Sequence, residues 1–154
     1  MTIEVKLSVA VSAYAAFTRI GKKELTPKGS YRVGRLISKL RTEVREWEEQ
    51  QVKLLREHGG KDEEGSVVLR KPEREEDESD EAFSARVAEH GKNMKALDVA
   101  VKAVMDEEVK IDYDPIPLEM FEIKEQDPED TKKARVRSTI EPNDMSLVLD
   151  FVKE

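Results

Sequence analysis

The chain has 154 residues, 40% of them charged and 5% aromatic, with a net charge of −7. That length fits one domain, 1–154, with a modest core, and the charge argues for a large solvated surface and against non-specific nucleic-acid binding. The absence of cysteine excludes disulfides, thiol catalysis and thiolate metal sites, and it fits a reducing cytoplasm.

The N-terminal "MTIEVKLSVAVSAYAAF" lacks the basic start of a signal peptide, and no apolar stretch approaches the roughly 20 residues that span a bilayer. The expectation is a soluble, cytoplasmic protein with no membrane partner. Within that stretch Ile3, Val5, Leu7, Val9 and Val11 alternate with Glu4, Lys6 and Ser8, the period of a half-buried strand. Tyr14, Phe17 and Ile20 are then spaced by three, which predicts a change to helix between Ser8 and Ser12. Proline and glycine in "LTPKGS" mark a turn.

The next stretch, "GSYRVGRLISKLRTEVREWEEQQVKLLREHGG", carries Val33, Ile37, Leu40, Val44, Trp47, Gln51, Leu54 and His58 at alternating spacings of four and three. That is an unbroken heptad seam, and it predicts a helix over 30–58 stopped by Gly59 and Gly60. A second seam runs through Phe83, Val87, His90, Met94, Leu97, Val101 and Val104. Ser79 or Asp80 is placed to cap this helix, with acidic residues in its first turn. Two matching seams predict an antiparallel helical hairpin over 30–106, coiled-coil-like, with His58 beside Phe83 and Trp47 beside Met94. In this register Gln51 meets His90, Leu40 meets Val101 and Ile37 meets Val104. The connection is expected to form an acidic, mobile tip over 61–80, with Val67-Val68-Leu69 as a brief strand.

Beyond the hairpin, Val109, Ile111 and Tyr113 alternate again, and Pro115 and Pro117 confine their own segment to a sheet edge or a loop. "LEMFEIKE" fits either a helical turn or a strand. "EQDPEDTKKA" reads as a polar linker, and Val136 to Ile140 as a further strand. A short terminal helix is expected in "EPNDMSLVLDFVKE", with Asn143 or Asp144 as its cap. The fold class is therefore α+β: an antiparallel pair of long helices, a small sheet and a short C-terminal helix.

Chemistry is thinly represented. Both histidines, His58 and His90, sit in the seams, and no phosphate loop, nucleophile elbow or zinc-binding helix motif occurs. The carboxylates of the tip, Glu73, Glu75, Glu76, Asp77 and Glu78, lack the spacing of a calcium loop. No catalytic residue, metal or cofactor is expected. Between Arg19 and Arg45 nine basic residues face only two acidic ones. Arg32, Arg35, Lys39, Arg41 and Arg45 are the candidates to grip phosphates if the partner is a nucleic acid, and a solvated or intramolecularly paired face is the plainer reading. A non-enzymatic protein–protein interaction module fits this bipolar chain best, with the basic segment 19–45 and the acidic tip as its surfaces. Pairing of the seams between two chains, as a homodimeric bundle, is the alternative assembly.

From Tyr31 onward, the order "LISKLRTEVREWEEQQVKLLREHGGKDEEG", second long helix, "KIDYDPIPLEMFE" and short terminal helix resembles small proteins encoded by tailed bacteriophages. The resemblance lies in layout over about 120 residues and carries no catalytic motif. It implies an inhibitor or adaptor acting on a host or virion protein.

Overall fold

A computed structural model of the chain describes residues 1–126, 134–138 and 140–153. The first strand, β1 (Thr2–Lys6), gives way at once to α1 (Leu7–Ile20), so the alternation through Val9 and Val11 does not continue the strand. The helical pattern wins because Leu7, Ala10, Ala13, Phe17 and Ile20 also recur at helical spacing, and all five are buried. α2 (Pro27–Glu57) is 31 residues long and begins three residues before Ser30. Proline fits the first turn of a helix, where its missing N–H costs nothing, and the Thr26 hydroxyl accepts a hydrogen bond from the Gly29 amide at 3.1 Å. Then come β2 (Lys61–Glu63), β3 (Ser66–Val68) and α3 (Asp80–Met105). β4 (Glu108–Asp112), β5 (Ile116–Pro117) and β6 (Glu122–Gln126) are next, with a 3-10 turn at Leu118–Phe121. "LEMFEIKE" is thus a helical turn and a strand in succession. β7 (Ala134–Ser138), α4 (Pro142–Val148), a 3-10 turn at Leu149–Phe151 and β8 (Val152–Lys153) complete the order. Most of the predicted polar linker lies outside the described residues.

The fold is α+β, with its long helices α2 and α3 forming an antiparallel hairpin. The described strands form four two-stranded sheets. β1 pairs antiparallel with β4, Val5 opposite Val109 and Ile3 opposite Ile111, and a Glu4–Lys110 ion pair of 2.9 Å crosses the outer face. β6 pairs with β7 as a separate sheet, so the strand expected near Val136 does not join β1 and β4. β5 pairs parallel with β8.

Contacts divide the chain into two compact units: Met1–Val44 with Glu108–Glu154, and Arg45–Glu107. The first unit has its own core, in which Phe17, Ile20, Val33, Leu36 and Leu40 cluster with Ile111, Phe121 and Phe151. Phe151 stands edge-on to Phe17 and Tyr113, with ring centroids 6.0 and 5.4 Å away. Leu40 belongs to this cluster and Ile37 packs against it, where the heptads predicted Val101 and Val104 as their partners. Asp144 is no helix cap. Glu141 takes that position without a side-chain bond, and Asp144, buried, receives two hydrogen bonds from Arg19 at 3.0 and 2.5 Å. This carboxylate and guanidinium join α4 to α1 across 125 residues of sequence.

In the second unit Trp47, Leu54 and Leu97 are buried, but the register differs from the expected one. The amide nitrogen of Asn93 lies 2.8 Å from where a Cβ on Gly59 would sit, so α2 ends beside the middle of α3. Relative to a His58–Phe83 pairing this is a shift of roughly ten residues, or about 15 Å of helix. The cause is the connection. The chain turns at Gly59, whose φ of +89° suits glycine, and then folds β2 and β3 into a hairpin through Glu64 and Gly65, both at positive φ. Gln51 and Met94 are consequently exposed, with Gln50 half-buried in place of Gln51.

Leu40 is fully buried, so Leu40→Ala should cost about 2–5 kcal/mol and Leu40→Asp should abolish folding of the first unit. Urea denaturation measures both, and an unchanged midpoint for either variant would put Leu40 on the surface. Trp47 should emit in the blue, as a tryptophan shielded from water does; a red-shifted native spectrum would contradict its burial.

Candidate interaction surfaces

α2 presents Arg32, Arg35 and Lys39 along one side of its first half, and the structure gives most of this charge a partner. Arg32 donates to the Pro115 carbonyl at 3.0 Å, and Arg35 pairs with Asp114 at 3.1 Å. Arg41 is held above its ordinary pKa chiefly by a side-chain hydrogen bond to Tyr14. Arg45 pairs with Glu49 one turn on, at 3.3 Å. Upstream, Arg19 is bound to Asp144 and Lys23 to Glu141 at 2.6 Å. Of the nine cations between Arg19 and Arg45, only Lys22, Lys28 and Lys39 have no partner among the described residues. Arg32, Arg35 and Lys39 also border a cleft of about 20 Å³ beside Asp112 and Tyr113, room for about one water molecule. The Tyr113 hydroxyl donates to the Asp150 carbonyl at 3.0 Å, and burial, with Asp150 nearby, raises its pKa.

The acidic stretch is organised by two arginines. Arg86 on α3 grips Glu78 with both arms, Nε to Oε1 and Nη2 to Oε2, each 2.6 Å, and its Nη2 also donates to the Glu73 carbonyl at 2.8 Å. This fork matches the carboxylate plane, and only 10% of the Glu78 side chain is exposed. Arg74 pairs with Asp80, donates to the Glu78 carbonyl at 3.2 Å and lies 6.0 Å from the Phe83 ring centroid. The Glu75 amide donates to Glu78 at 3.2 Å. Glu76 and Asp77 are exposed and have no partner among the described residues. Ser79 caps α3 by accepting the Ala82 amide at 3.2 Å. Arg86 escaped the sequence reading because it falls beside the seam, between Phe83 and Val87. Its position as the only cation in the first two turns of α3 was the available signal.

The outer face of α3 was also missed. Of its 26 residues only Leu97 is buried, and Val99 is 71% exposed, with Met94 at 38%. Ala85, Ala88, Ala96 and Ala103 are exposed as well. No helix among the described residues is long and apolar enough to cross a membrane, and no group of three histidine or acidic side chains among them converges to hold a metal. No protein-family model, no curated protein and no solved structure matches the chain.

The Arg86 hydrogen bonds hold the Glu78 carboxyl below its ordinary pKa. Such a group stabilises the fold above the unfolded-state value, about 4.3 for glutamate, and loses that contribution as pH falls through the lower folded-state value. Thermal melts between about pH 3 and 7 should therefore show stability falling on acidification, with a smaller fall in Glu78→Gln. Identical pH profiles would remove Glu78 from that role.

Proposed function

We propose that the protein is a non-catalytic binding module that docks a protein partner on the outer face of α3. The observation that carries this reading is the apolar surface left on that helix. A helix at the surface of a finished domain shows one apolar stripe and an opposite polar face, whereas α3 carries Val99, largely exposed, on the side away from Leu97. Aliphatic side chains exposed on a rigid helix lose little conformational entropy when covered, and their burial supplies association energy. The partner we propose is a host or virion protein, with the chain acting as inhibitor or adaptor. That part rests on the resemblance in layout to phage-encoded proteins alone. Nucleic acid is the weaker alternative, because carboxylates, a carbonyl and a tyrosine hydroxyl already engage most cations of the basic segment.

The test is capture from a bacterial host lysate with and without nuclease, comparing the native chain with Val99→Glu. A protein retained in both nuclease arms and lost with Val99→Glu, whose helical circular dichroism should be unchanged, is the expected result. Capture that vanishes with nuclease and ignores the substitution would move function to the basic segment. A dimer in solution that Val99→Glu dissociates would make the occupant a second copy instead.

A further inference from the structure

The second unit contains a concave crook of about 360 Å³ where the turn at Gly59, the β2–β3 hairpin and the chain after it face α3, within the size range of small-ligand sites. Its sign runs against that of the protein. Four cations line it, Lys61, Arg70, Lys71 and Arg86, against two carboxylates, Glu63 and Glu89, on a chain of net charge −7. Two of those cations are engaged, Arg70 with Glu63 at 2.7 Å and Arg86 with Glu78. The side chains of Lys61 and Lys71 have neither an ion pair nor a hydrogen bond among the described residues. Half-buried His90 and Asn93 face the same space, and Val68, Leu69 and Pro72 line it on the apolar side. The turn keeps the crook open at Gly59, where a Cβ would run into the Asn93 amide.

We propose that this crook binds a small oxyanion ligand, a phosphate or a carboxylate. Lys61 and Lys71 supply two uncommitted positive charges on flexible stems, and the Asn93 amide and His90 imidazole supply further hydrogen-bonding groups in the same space. The apolar wall accommodates a hydrocarbon body attached to the anion. Arg70 and Arg86, fixed by Glu63 and Glu78, shape the rim as near-neutral pairs. His90 and Val99 are nine residues apart, half a turn of helix phase at about 100° per residue. The crook and the proposed docking face therefore lie on opposite sides of α3, and either can fail without the other.

The experiment is a titration of the full ¹⁵N-labelled chain, monitored by ¹H–¹⁵N spectra, with inorganic phosphate in one arm and citrate in the other, against sodium chloride at matched ionic strength. Saturable shifts confined to the segment from Gly59 to Lys71 and to the α3 amides near His90 and Asn93, including the Asn93 side-chain amide, are expected. Lys61→Glu with Lys71→Glu should weaken binding by about tenfold or more with helical circular dichroism unchanged. Lys71→Glu alone, outside every regular element, serves if the pair disturbs the hairpin. Tighter binding of phosphate assigns a phosphate ligand, and tighter binding of citrate a polycarboxylate; either supports the site. Shifts no larger than those from chloride, or equal affinity in the lysine variants, would overturn it.

Discussion

One continuous helix serving two cores is the constraint on which the rest of this structure depends. α2 runs 31 residues, about 46 Å at 1.5 Å per residue, and its apolar stripe does not break where its partners change. Val33, Leu36 and Leu40 complete the core made by α1, β4 and the C-terminal aromatics. Trp47 and Leu54 are buried in the second unit, which α2 enters at Arg45. The placement of the remaining elements comes from this division. α3 needs to cover only the distal half of α2, so its first turns are left for the β2–β3 hairpin and the acidic stretch.

Part of the heavy charge of the chain holds this arrangement. Arg19 with Asp144 fastens the terminal helix to α1, Arg35 with Asp114 links α2 to the chain after β4, and Arg86 with Glu78 folds the acidic stretch back onto α3. Exposed pairs of this kind add little stability singly, but bidentate, half-covered ones fix geometry. The uncommitted groups are then informative. The outer face of α3 exposes Val99 among alanines, and the crook beside His90 and Asn93 keeps two lysines whose side chains have no partner among the described residues. Docking of a partner and capture of a small anion are the two uses that chemistry suggests.

Much of the fold was legible in the sequence because periodicity reports local geometry faithfully. The bounds of α3, the alternation behind β1 and β4, the brief strand at Val68 and the Ser79 cap all arise from short-range patterns. The helix register did not, because an unbroken heptad run is compatible with several alignments that differ by whole repeats. The choice among them was made by Gly59 and by the Glu64–Gly65 turn, which convert a loop into a hairpin with its own length. Leu7 belonged to both periods, so the strand was read as too long. Asp144 looked like a cap because nothing local reveals a partner 125 residues away. The partners of Arg32, Arg35 and Arg41 were not legible, since Pro115, Asp114 and Tyr14 come from other elements. Arg86 and Val99 were overlooked for the opposite reason: neither breaks a pattern.

The most direct test of the divided helix is hydrogen–deuterium exchange on Leu36→Ala and Leu54→Ala. If α2 serves two cores, Leu36→Ala should speed exchange in α1, β1 and β4, and Leu54→Ala should speed it in α3 and the β2–β3 hairpin, each leaving the other set near its native rate. Equal acceleration of both sets by either substitution would contradict the division and return the chain to a single cooperative core.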